Sequence, residues 1–135
     1  MVYAVIDTNV LVSAIFAVHP DSATVIVWNK VLDGTIVPLY NAEIFQEYHN
    51  VLTRPRFHFP TESVDAMLDV ILQKGLSLER TKTENVFADP KDIVFYEIAL
   101  SKEGAYLVTG NTKHFPITPI VVTPAELLRI LDTIK

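Results

Sequence analysis

The sequence contains no cysteine. That excludes disulfides, thiolate metal sites and cysteine nucleophiles, and it fits a cytoplasmic protein. Long hydrophobic runs are missing as well. No stretch approaches the ~18 consecutive apolar residues of a membrane span, so no membrane association is expected. The opening residues, 1–7, carry no basic stretch before their apolar run and read as a first strand rather than a leader. Basic residues are few: 11 Lys and Arg stand against 16 Asp and Glu, a net charge of −5. A nonspecific nucleic-acid binder is usually basic. Clustered carboxylates, by contrast, coexist most easily around a cation.

Several familiar motifs are also absent. There is no Gly-x-Gly-x-x-Gly, no phosphate-binding loop and no Gly-x-Ser-x-Gly elbow. The histidines at 19, 49, 58 and 114 never fall at zinc-ligand spacing. Asn9 stands where a haloacid-dehalogenase-type phosphatase needs its second acid, and the adjacent acids of a receiver domain are missing. No repeat or linker interrupts the 135 residues, which predicts one domain over 1–135.

What is present is an alternation of short apolar runs and helical patterns, with 50% hydrophobic residues to fill a core. Residues 2–6 read as a buried parallel strand, with a helix over 10–17 and a second ending at Leu32 before Gly34. Strands follow at 36–39 and 76–78, with helices over 42–52 and from Thr61 to Gly75 between them. Asp89-Pro90-Lys91-Asp92 opens a helix running to about Lys102, followed by strands at 105–108 and 120–122. Thr123 to Glu126 starts the last helix with capping-box spacing. This alternation predicts an α/β fold: a short central parallel sheet between two helical layers, a three-layer α/β/α sandwich. Sites in such folds gather at the carboxyl ends of the strands.

Asp7 ends the first strand. It is either a costly, partly desolvated carboxylate awaiting a partner or a plain helix cap. Glu43 and Glu47 share a helix face. Glu43 lies in the first turn, where the helix dipole accounts for it, so Glu47 is the better ligand candidate, although a solvated face explains it too. Asp89 is well explained as a cap, and capping could also explain Asp92. Thr109-Gly110-Asn111 closes a strand in what an ordinary turn would also produce. Taken together, acids at 7, 47 and 92 and a polar residue at 111 supply hard oxygen ligands suited to Mg²⁺ or Mn²⁺.

Here the sequence resembles the PIN domain family of metal-dependent nucleases, over essentially its whole length and above all the small stand-alone toxin components of toxin–antitoxin pairs. Val5-Ile6-Asp7-Thr8-Asn9-Val10 is its most specific segment. Glu43 to Tyr48 with Arg54-Pro55, Asp89 to Ala99, and Leu107 to Asn111 with His114-Phe115 resemble the later motifs. The resemblance implies a PIN-like fold and metal ligation by Asp7, Glu47 and Asp92. It implies catalytic roles for these and Asn111, with Thr8, Asn9 and Thr109 in support. It also implies Mg²⁺ or Mn²⁺ as cofactor, an RNA substrate cut by an endoribonuclease, an antitoxin partner and a homodimer. For the dimer, the helix over 64–72 and the Phe57-His58-Phe59 loop offer apolar surface. Asn111 departs from the aspartate of many family members. It keeps a carbonyl oxygen but brings no charge, which bears on binding of a second metal, the level of activity and metal preference without implying inactivation. The alternative reading is a degenerate PIN fold that binds RNA or protein without cutting.

Overall fold

The computed structural model describes residues 1–134. Its order is β1 (Val2–Ile6), α1 (Thr8–Phe16), α2 (Ala23–Leu32), β2 (Ile36–Tyr40), α3 (Ala42–Leu52), α4 (Thr61–Lys74), β3 (Leu76–Ser77), α5 (Pro90–Leu100), β4 (Tyr106–Val108), β5 (Val121–Val122) and α6 (Pro124–Ile134). Single 3₁₀ turns lie at Pro55–Phe57 and Thr112–His114.

The five strands form one sheet in the order β3-β2-β1-β4-β5, and every neighbouring pair is parallel. β1 is central and almost wholly buried, which is why its sequence is a continuous apolar run rather than an alternating one. From β1 the chain steps outward to β2 and β3, then returns across β1 to β4. Crossovers between parallel strands are right-handed, so this reversal places α5 on the sheet face opposite the earlier connecting helices. α5 packs on β1, β2 and β4, whereas α2 packs on β2 and α6. The result is the three-layer α/β/α sandwich expected from the sequence.

Local chemistry sets the element ends. Asn41 accepts a hydrogen bond from the Ile44 N–H at 2.9 Å, and Asp89 accepts one from the Lys91 N–H at 3.0 Å. These satisfy amides that have no partner within the helix. At the start of α6, Thr123 and Glu126 exchange the two bonds of a capping box, at 2.9 and 3.1 Å. Gly34 closes α2 with φ +85, which only glycine adopts cheaply. Gly75 is demanded by closeness instead, since a Cβ there would lie 2.4 Å from the Ile71 carbonyl oxygen and 2.7 Å from that of Pro38.

Several boundaries shift by one or two residues, among them the end of β2 at Tyr40 and the starts of β4 at Tyr106 and β5 at Val121. α1 starts at Thr8, directly after Asp7, instead of at Val10, and ends at Phe16. α5 stops at Leu100, two residues earlier than its pattern suggested. β3 is only Leu76–Ser77, although the Leu78 N–H still donates to the Tyr40 carbonyl at 2.9 Å. In α4, Val64, Met67, Leu68 and Ile71 are buried, but Leu72 is 48% exposed. The two loop aromatics, Phe57 and Phe59, stack at 5.0 Å and meet the edge of Phe16 at 5.6 and 4.8 Å.

Candidate active site

β1 and β4 are neighbours whose onward connections leave in opposite directions, to β2 and to β5. At such a switch point the loops separate and leave a crevice at the carboxyl ends of the strands. Asp7 and Thr109 are the residues that follow these two strands. The ladder continues one step past each: the Asp7 N–H donates to the Val108 carbonyl and the Thr109 N–H to that of Val122, both at 2.9 Å.

Asp7 is 9% exposed. Its Oδ2 accepts from the Thr109 hydroxyl at 2.7 Å and from Asn9 Nδ2 at 3.2 Å. Asn9 in turn accepts from the Gly110 N–H at 3.2 Å, and the Thr109 Oγ1 accepts from the Asn111 N–H at 3.0 Å. The β1 and β4 termini are thus stitched together around one carboxylate. Burial raises the pKa of Asp7. Thr109, the Thr8 N–H and His114 pull it back, and Glu47 adds to the rise. The net shift is upward, so these hydrogen bonds do not fully replace the lost water.

Asp92 lies in the first turn of α5, and its pKa is raised to about 6. Burial is the main cause, with Asp7, Asp89 and Glu47 adding repulsion and His114 opposing them. Electrostatically, then, Asp92 feels both Asp7 and Glu47. His114 Nδ1 lies 3.7 Å from Asp92 Oδ2, too far for a hydrogen bond but near enough to act as a charge partner when protonated. Glu47 lines an open cleft of about 460 Å³ with Ala42, Glu43, Gln46, Asn50 and Lys91.

The structure separates the two glutamates of α3. Arg80 Nη1 donates to both oxygens of Glu43, at 3.1 and 3.0 Å, while Arg80 Nε donates to Glu97 Oε1 at 2.6 Å. Glu43 is therefore committed to an ion pair. Glu97 is buried and also accepts from the Thr83 N–H at 2.8 Å. Burial pushes its pKa up, but the Thr83 N–H and the Arg80 guanidinium outweigh this and hold it below the usual value.

Asn111 is exposed beside this cluster, and Thr8 is buried with an Oγ1 that makes no hydrogen bond. His114 and Tyr48 stand in the motif segments of the sequence without a role assigned to them, and Arg80 and Glu97 carry no site role there either. The Tyr48 hydroxyl donates to the Ile6 carbonyl, which fixes α3 to the end of β1 just before Asp7. A histidine three residues after Asn111 was the visible signal for His114. The Arg80 links join residues 17 and 37 positions apart, which no local pattern announces.

The sequence matches the family model described as PIN domain over residues 3–113 of the 135. The chain belongs to the PIN domain family. Family membership supports a ribonuclease-type function. No curated protein and no solved structure matches the chain. Among the described residues no helix is long and apolar enough to cross a membrane, and no three His, Asp or Glu side chains form a ready-made ion cage.

The chemistry of the donors nevertheless suits the divalent metals of the PIN family. The acids are hard oxygen donors. Asp7 and Asp92 both hold their protons more tightly than free carboxyls, chiefly because they are buried, with Glu47 adding repulsion at each and Asp7 adding it at Asp92. A cation between such groups would relieve that repulsion. The unpartnered Thr8 hydroxyl adds a further polar atom next to Asp7.

Proposed function

We propose that this PIN domain is a divalent-metal-dependent endoribonuclease and the toxin of a toxin–antitoxin pair. Asp7, Glu47 and Asp92 would hold Mg²⁺ or Mn²⁺, and Asn111 would complete the site through its carbonyl oxygen. One observation carries the reading: a buried carboxylate, Asp7, is held by Thr109 at 2.7 Å at the switch point of the sheet, and its charge and that of Glu47 both bear on Asp92.

The chain's own groups have separable tasks. Thr109 and Asn9 orient the Asp7 carboxylate by their bonds to its Oδ2. The half-buried setting of Asp92 excludes part of the water that would otherwise screen the acids. His114, exposed 3.7 Å from Asp92, would when protonated offset the negative field that repels an RNA phosphate. When bound, the metal would activate a water and neutralise charge on the phosphodiester. Attack by water rather than by the ribose 2′-hydroxyl leaves 5′-phosphate and 3′-hydroxyl ends.

The test is cleavage of single-stranded RNA with Mg²⁺ or Mn²⁺, comparing wild type with Asp7→Asn and identifying the product ends. Full activity in excess chelator, or 2′,3′-cyclic phosphate products, would rule the mechanism out. RNA retained equally well in chelator, with no cleavage under any metal, would favour a binding module.

A further inference from the structure

Glu47 and Asp92 lie on different helices, α3 and α5, which pack directly through the buried Tyr48 and Phe95 rings at 6.2 Å. Nearer the surface a polar link is added by Arg80, on the segment between β3 and α5. Its Nε meets Glu97 of α5 at 2.6 Å, and its Nη1 straddles the two oxygens of Glu43 of α3 at 3.1 and 3.0 Å. Glu43 is one turn before Glu47, on the same helix face. Glu97 lies about 1.4 turns beyond Asp92.

We propose that Arg80 is a positioning residue, a clamp that narrows the spread of the Glu47–Asp92 spacing by tying the outer faces of two helices already packed through Tyr48 and Phe95; this rests on reading those two acids as metal ligands. Arginine suits the task because its planar fork can serve two carboxylates in fixed directions, which a lysine ammonium cannot. The two ends of the clamp differ in kind. The Glu97 end is anchored, since that carboxylate is 7% exposed and is held a second time by the Thr83 N–H. The Glu43 end is open to water, with Glu43 57% and Arg80 37% exposed. The anchored end secures the 79–83 segment to α5, and the open end reaches across to α3. Thr81 strengthens the anchored end through a 2.9 Å bond to Ser101, whose hydroxyl also donates to the Glu79 carbonyl at 2.6 Å.

Two variants separate the clamp from plain stability. Glu43→Gln cuts the α3 end and leaves the buried Arg80–Glu97 pair intact. Arg80→Lys keeps a cation for Glu97 but loses the fork. The cysteine-free chain allows nitroxide labels at Gln46→Cys on α3 and Lys91→Cys on α5, read by dipolar broadening in metal-free protein. Both variants should weaken and spread the spin–spin coupling relative to wild type, at an unchanged melting temperature for Glu43→Gln. Mn²⁺ affinity, measured by calorimetry on unlabelled protein, should fall about threefold, the size of effect an exposed ion pair supports. Identical label coupling in wild type and Glu43→Gln would overturn the clamp. A wild-type chain that binds no Mn²⁺ would overturn the metal reading instead, whatever the labels show.

Discussion

The hydroxyl of Thr109 donates to Asp7 Oδ2 at 2.7 Å, joining residues 102 positions apart at the ends of two adjacent parallel strands. Asp7 is the most buried acid of the site, and this is its shortest hydrogen bond. Thr109→Val keeps the shape and removes the donor. RNA cleavage should fall about 10- to 100-fold, the usual cost of losing a group that orients a metal ligand. Cleavage at the wild-type rate would show that Asp7 needs no such support.

Asp7→Asn and Asp92→Asn should each abolish cleavage without unfolding the chain. Removing one of the mutually repelling charges relieves strain in the metal-free protein. The melting temperature in chelator should therefore hold or rise. Unfolding of either variant would mean that the carboxylate is structural.

The same repulsion gives a pH dependence. Asp92 titrates at about 6 in the folded chain against 3.8 for the free side chain. The folded state therefore binds the proton more tightly than the unfolded one. This contribution to stability is complete below about pH 3.8 and is lost as the pH rises through about 6. Metal-free wild type should lose melting temperature across that window relative to Asp92→Asn. Parallel pH profiles for the two proteins would contradict this.

Asn111→Asp restores a charge beside the cluster and should tighten Mn²⁺ binding, while also lowering the stability of the metal-free protein by added repulsion. Calorimetry with Mn²⁺ and melting in chelator check the two halves separately. Weaker Mn²⁺ binding would place residue 111 outside the metal's reach.

We propose a homodimer. Phe16 is 54% exposed and crowns the Phe57–Phe59 stack, which makes it a suitable contact for a second copy. Sedimentation at micromolar concentration should show a dimer that Phe16→Glu dissociates. A wild-type monomer would count against dimerisation.

What the sequence by itself determined were features whose physics is local. Val2–Ile6 is a buried strand because five consecutive residues with little polarity suit a strand covered on both faces. Asn41, Asp89 and Thr123 cap helices because their oxygens reach amides two or three residues ahead. The alternation of such elements sufficed to predict a parallel sheet between helical layers. Tertiary structure alone decided which acids share a field and which are spent on ion pairs. Glu43 and Glu47 differ in sequence only by a turn of helix and line the same cleft, yet Arg80 occupies Glu43, while the charge of Glu47 bears on Asp7 and Asp92. Glu97 carried no local sign of burial, because its partners arrive from the 80–83 segment. Spacing along a chain encodes the bonds that a single helix or turn can close. Which remote charges meet depends on strand order and crossover hand, which emerge only when the whole chain packs.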